Sequence, residues 1–290
     1  MPPPPTQLNY LITGAARGIG RHLTRTLVSR GHRVYLIDSN GPELSHTLSL
    51  LSDLTSTTTS SDPTPASPPL YNATAQPVDL ASLPQLKAAV SDARSFFNGR
   101  LDVLVNNAMA MPHTWPVEEG CADPRGEEEV EAHWERQVAV GLGAPFHLSR
   151  LCVGMMARAE GRKGGVIVNV SSTRAGMAEM DHEGYSAVKA GLLGLGQSLS
   201  VSFGERYGVR VNGLILGWVN VENERREADE KGVKWEEGLT EEDHRWHSAG
   251  RVGRGEDVMR AVDYLVESEW VTGSEMVLDG GVTRKMVYPE

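Results

Sequence analysis

Leu8-Asn9-Tyr10-Leu11-Ile12-Thr13-Gly14-Ala15-Ala16-Arg17-Gly18-Ile19-Gly20 opens the patterned part of the chain, and the order of elements around it decides the fold. A short apolar strand from Leu8 runs into a glycine turn, a helical pattern continues to about Arg30, and a second strand, His32 to Ile37, ends at Asp38. Glycines let the backbone approach a pyrophosphate, and the helix N-terminus offers it unpaired N–H groups. Asp38, about twenty residues beyond the turn, supplies a carboxylate able to accept hydrogen bonds from adenosine ribose hydroxyls. The order of strand, glycine turn, helix and acid-ended strand predicts dinucleotide binding. An ordinary strand turn is the plainer reading of the glycines taken alone.

Working outward, the apolar run Val166-Ile167-Val168-Asn169-Val170 ends in Ser171-Ser172 and leads to Tyr185-Ser186-Ala187-Val188-Lys189. On a helix, Tyr185 and Lys189 project from one face about a turn apart. A free tyrosine titrates near pH 10, and a cation fixed within a few ångströms favours its phenolate, which makes the pair a candidate proton-transfer group. Ser172, at the strand end, is placed to hydrogen-bond the same substrate oxygen. The plainer reading is a helical pair beside a Ser-Ser loop start.

The chain has 290 residues, 40% hydrophobic and 23% charged, which suits a globular protein with a substantial core. Its formal net charge of −10 argues against broad attraction to nucleic acid or anionic membrane. Cys121 and Cys152 provide neither a disulfide framework nor a metal cluster, and they read as free thiols of a reducing compartment. Met1 and the four prolines after it lack a basic n-region and a long apolar h-region, so residues 1–7 read as a flexible tail and the expected location is cytoplasmic. No run approaches the eighteen or so apolar residues of a spanning helix.

Between the helix Pro42 to Leu51 and the strand Ala73 to Val78, residues 52–72 form a Ser/Thr/Pro-rich insertion that cannot bury enough apolar surface to order itself. A helix from Leu83 to Phe97, a strand from Leu101 to Val105, an irregular acidic stretch from Pro112 to Glu129 and a long helix from Val130 to Met156 follow. His113 and His133 lack clustered partner ligands, so no metal site is expected. Gly191, Gly194 and Gly196 each cost a helix interior roughly 1 kcal/mol relative to alanine, which close packing has to offset. After the strand Val209 to Leu216 come Gly217-Trp218-Val219 and a charged segment, residues 221–248, then a helix from Glu256 to Glu267 and a strand from Glu275 to Leu278. The alternation predicts a single α/β domain: a Rossmann-type, doubly wound parallel sheet with helices on both faces.

The spacing Gly14-x-x-x-Gly18-x-Gly20 together with Tyr185-x-x-x-Lys189 resembles the short-chain dehydrogenase/reductase family. Asn106-Asn107-Ala108, Ser172, Val209-Arg210-Val211-Asn212-Gly213 before Gly217, and Asp279-Gly280-Gly281 extend the resemblance from about Leu8 to Gly281. It implies hydride transfer between a nicotinamide and a secondary alcohol or carbonyl, with Ser172, Tyr185 and Lys189 catalytic. It also implies cofactor contacts from Thr13, Gly14, Arg17, Gly18, Ile19, Gly20, Asp38, Asp79, Leu80, Asn107, Ala108, Tyr185, Lys189, Gly217 and Val219. Asp79 is the adenine contact by resemblance and a cap for the helix near Ser82 by local pattern. Residues 221–248 correspond to a substrate lid, with a plain solvated segment as the alternative. The helix carrying Tyr185 and the one before it imply a homodimer or homotetramer. Asp38 would repel a 2′-phosphate, so NAD is expected over NADP, with Arg17 as the contrary sign.

Three positions depart from the pattern: Met109 follows Asn106-Asn107-Ala108 in place of glycine, Leu216 and Val221 replace a proline and a threonine, and Gly141 stands for the tetrad asparagine. Glycine there is expected to free volume for an ordered water near Lys189. An NAD-dependent oxidoreductase is the leading expectation, with 3-oxoacyl reduction and polyol or sugar oxidation both open. The alternative is an NAD-binding sensor or scaffold with little catalysis.

Overall fold

A computed structural model describes residues 7–56, 72–110 and 127–286. The proline tail through Thr6, most of the Ser/Thr/Pro insertion, and residues 112–126 with His113 and Cys121 lie outside the described residues. In chain order the elements are β1 (Asn9–Thr13), α1 (Gly18–Ser29), β2 (Arg33–Asp38), α2 (Gly41–Ser56), β3 (Ala73–Pro77), α3 (Leu83–Phe96), β4 (Val103–Asn106) and α4 (Glu127–Val138). A π-helical turn (Ala139–Gly143) leads into α5 (Ala144–Met156), β5 (Val166–Ser172), α6 (Glu183–Tyr207), β6 (Arg210–Leu216), α7 (Arg226–Lys231), α8 (Glu241–Arg245), α9 (Gly255–Glu267) and β7 (Glu275–Leu278).

The strands form one seven-stranded parallel sheet in the order β3-β2-β1-β4-β5-β6-β7. The expected doubly wound architecture is therefore present. Side chains alternate between its faces. Leu11, Leu104, Ile167 and Val211 pack against α3, α5 and α6, while Ile12, Val105, Val168 and Leu214 pack against α1 and α9. The chain order reverses between β1 and β4, so the loops after these strands part to leave a crevice at their C-terminal ends, where ligands of open α/β sheets bind.

The helix expected to run unbroken from Val130 to Met156 contains the π turn at Ala139–Gly143. Pro145 explains it. Proline has no N–H to donate to the carbonyl of Gly141 four residues back and crowds that carbonyl, so the chain widens by a residue and Ala144 N–H bonds Ala139 O instead. The run Glu128–Met156 is long and apolar enough by composition to cross a membrane. Leu148, Cys152, Met155 and Met156 are nevertheless packed in the core, and burial pushes the Cys152 thiol up to about 12.

The three glycines of α6 part company. Gly191 faces the Leu142 side chain and Gly196 the amide of Asn169, so their cost is offset within the chain, whereas nothing among the described residues stands within 4 Å of where a Gly194 side chain would go.

Candidate functional site

The crevice between β1 and β4 holds a cavity of about 390 Å³ whose walls include Gly14, Gly18, Asp38, Leu80, Asn107 and Ala108. Gly14 has φ +66°, and a Cβ there would lie 2.9 Å from the Ala108 Cα; one on Gly20 would run into the Gly14 carbonyl. These glycines keep open a cradle that side chains would fill. Asp38 closes one end. Its carboxylate accepts from Ala16 N (3.0 Å) and Asn40 N (2.9 Å), which fixes its orientation and leaves lone pairs free for further donors. Arg17 lines the cavity and is exposed. The glycine cradle and an acid-ended β2 fit an adenine dinucleotide, while the first N–H of α1, on Gly18, is taken by Glu224 O at 2.8 Å.

Several expected contacts are placed differently. Thr13 is buried, and its Oγ1 accepts from Asn107 N and Ala108 N (3.0 Å each), so it stitches β1 to the end of β4. Asn107 Nδ2 donates back to Thr13 O at 3.0 Å and Gly14 O at 3.2 Å, bracing the turn from behind. Asp79 does not line the cavity, and it caps no helix: α3 has Ser82 at its N-cap. Its Oδ1 accepts from Arg136 Nη1 at 2.6 Å and Ala81 N at 3.1 Å, because α4 brings the guanidinium over the loop after β3. Gly217 and Val219 lie outside the cavity lining as well. A Cβ on Gly217 would stand 2.8 Å from the Asp279 Cα, so that glycine admits the close pass of the chain leaving β7. Ile19 is half-buried on the first turn of α1. Arg136, Met109 and Val140 line the cavity without having been singled out as contacts. Arg136 and Val140 are four apart on one helical run, a spacing that marks a shared face.

Ser172 ends β5, and Tyr185 and Lys189 stand one turn apart at the start of α6, tied to β5 by Ser171 Oγ donating to Lys189 O at 2.8 Å. Lys189 is buried; its Nζ lies 5.4 Å from the Tyr185 ring centroid and donates to Val170 O at 2.8 Å. Burial lowers the Lys189 pKa to about 8. Burial also raises the Tyr185 phenol, and the Ser172 hydroxyl and Arg174 guanidinium pull it only part of the way back. The expected lowering of the tyrosine by Lys189 is not seen: the ammonium donates to the Val170 carbonyl, and desolvation is the main influence on the phenol.

The free volume expected beside Gly141 is also absent, because Met109 and Val188 side chains fill it. No group of three or more His, Cys, Asp and Glu among the described residues is arranged to hold a metal.

Residues 221–248 carry α7 and α8. The first half is tied down: Glu224 O accepts from Gly18 N at 2.8 Å, and the buried Glu224 carboxylate meets Arg25 at 3.0 Å, His22 at 3.2 Å and Arg21 at 3.4 Å. Asp229 completes the clamp with Arg21 (2.6 Å) and His46 (2.7 Å). Arg21, on α1, is fully buried.

The family model described as enoyl-(acyl carrier protein) reductase matches residues 14–283. An uncharacterized oxidoreductase of Thermotoga maritima is 37% identical over 219 residues, 73% of this chain and 77% of that protein. A short chain dehydrogenase/reductase of Colletotrichum higginsianum is 32% identical over 208 residues, 71% of this chain and 67% of that protein. Among solved structures, an apo SCOR enzyme from Clostridium thermocellum superposes with a TM-score of 0.72 at 26% identity, covering 98% of this chain and 96% of that one.

Proposed function

The chain belongs to the short-chain dehydrogenase/reductase family of oxidoreductases, and from that premise we propose that it is an NAD(H)-dependent enzyme interconverting a secondary alcohol and the corresponding carbonyl. The observation that carries this reading is the convergence of Ser172, Tyr185 and Lys189 where β5 meets α6, in the same sheet edge as the crevice that ends at Asp38. The negative charge of Asp38, with Ser39 and Asn40 beside it, favours ribose hydroxyls over a 2′-phosphate. Gly14, Gly18, Gly20, Asp38, Leu80, Asn107 and Ala108 would hold the dinucleotide. When bound, the nicotinamide gives or takes the hydride.

The proton chemistry falls to the chain. Tyr185, kept neutral by burial, donates its proton to the carbonyl oxygen in the direction of reduction; in oxidation the phenolate form takes the proton of the alcohol and becomes the phenol. Ser172 donates a hydrogen bond that orients the same oxygen. Lys189, one turn away, sets its positive charge against the phenolate that forms. Residues 221–248 act as the lid. The exposed Phe146 on α5 and Val201 on α6, with the open surface at Gly194, support a homo-oligomer formed through these helices, and the free buried thiol of Cys152 accords with a cytoplasmic location.

Turnover of purified protein on a panel of secondary alcohols and ketones, with each nicotinamide cofactor and in both directions, tests the reading. Tight NAD binding without turnover anywhere on the panel would point instead to a sensor or scaffold.

A further inference from the structure

Gln137 sits on the last turn of α4, only 4% exposed, and its Oε1 has no hydrogen-bond partner among the described residues. A buried amide oxygen left unpaired is costly, and the contacts of the described residues do not account for it. The side chain lines a separate cavity of about 110 Å³ together with Val130 and Trp134 of α4 and with His182 and Tyr185 at the start of α6. This cavity shares no lining residue with the dinucleotide crevice. Its connection to the chemistry is Tyr185. The amide oxygen faces Gly184, and any side chain there would collide with it, so glycine beside the tyrosine keeps the amide clear.

We propose that Gln137 is a specificity-determining residue that takes a second hydroxyl of the substrate, and that the substrate is therefore a hydroxy-ketone, or the matching diol, on an otherwise hydrocarbon frame. This inference rests on the oxidoreductase reading above. Val130, Trp134 and the tyrosine ring offer apolar wall to the carbon frame, with one polar group to fix its orientation, the usual composition of a small-molecule site. A hydroxyl both donates and accepts, so it pairs with an amide in either rotation. Asp181 and Glu183 also line the cavity and oppose an anionic group there. A plain acyl chain would fill the space and leave the amide unpaired, the arrangement that polar sites reject most strongly.

Matched pairs decide it: cyclohexane-1,2-diol against cyclohexanol, and 2-hydroxycyclohexanone against cyclohexanone, with NAD or NADH as each direction requires. The wild type is expected to favour the hydroxylated member by about tenfold or more in kcat/KM. Gln137→Leu should remove that preference mainly through KM, leave the unhydroxylated member within about threefold, leave NADH affinity unchanged and keep the melting temperature equal or higher, since an unpaired buried amide is removed, while Gln137→Glu, which keeps an acceptor, restores part of the preference. Equal loss on both members would show a structural role and overturn the assignment, as would no loss on either. If only the unhydroxylated members turn over, the assignment falls and the oxidoreductase reading stands. If neither member turns over and NADH still binds, both fall.

Discussion

The thioether sulfur of Met109 occupies the place a side chain at position 141 would need: a Cβ on Gly141 would lie 2.5 Å from Met109 Sδ and 2.5 Å from Val188 Cγ1. Two departures from the family pattern are thus one feature, a large residue on the loop after β4 filling the notch that glycine leaves in the π turn. Gly141→Asn is expected to lose about 1–3 kcal/mol of stability through overpacking. Met109→Ala in the same chain should return part of that loss, the clash with Val188 remaining, a coupling expected between residues in contact. Denaturant unfolding of the two single variants and the double variant measures it. Strict additivity would show that the sulfur moves aside without cost.

Tyr185→Phe removes the hydroxyl and keeps the ring against Lys189. Turnover should fall by about two orders of magnitude or more, the scale of a lost general acid or base, while NAD affinity measured by fluorescence titration stays nearly constant. Near-full activity in the variant would assign the proton to another group.

Asp38→Asn removes the charge at the end of β2 and retains an oxygen for Ala16 N or Asn40 N. The ratio of NADP to NAD affinity is expected to rise by about tenfold, roughly 1.4 kcal/mol. Parallel titrations of both cofactors give the ratio directly. A wild type that binds NADPH more tightly than NADH would instead make Arg17 the deciding residue.

Glu224 supplies the acid-sensitive contact. Burial pushes its carboxyl up, but His22, Arg25 and Arg21 together hold it below the ordinary glutamate range. A carboxyl depressed in the folded state contributes stability above its unfolded pKa of 4.5, and that contribution is lost as pH falls through the lowered folded value. Glu224→Gln should accordingly be less stable than the wild type at pH 7, with the gap closing on acidification. Arg21→Met, which leaves two carboxylates without their buried cation, should cost about 3 kcal/mol at neutral pH. Urea unfolding across pH 3–7 follows the first effect, and proteolysis within residues 221–231 reports release of the clamp in the second.

The alternation of strands and helices, the glycine turn, Asp38 and the Tyr185–Lys189 spacing were all readable from the chain, because each is set by local periodicity or by the few residues between one element and the next. The same local logic does not reach the partners of Thr13 and Asp79. Both stand at the expected strand ends, but Thr13 turns inward to the β4 loop and Asp79 is taken by Arg136, 57 residues away. The π turn was within reach of local reading, since Pro145 lies four residues after Gly141, yet the helical pattern on either side concealed it.

Tertiary structure alone decided the rest. Met109 over Gly141, Gln137 against Gly184, and Arg21 bridging 208 residues to Asp229 depend on the angle at which each helix is set on the sheet and on the rotamers that packing selects. Spacing along a helix determines which residues share a face, but it does not determine what that face meets. Burial then sets the chemistry in the same way: Tyr185 and Lys189 are adjacent by sequence, while the raised phenol and the lysine near pH 8 arise from the low-dielectric surroundings that the assembled layers create around them.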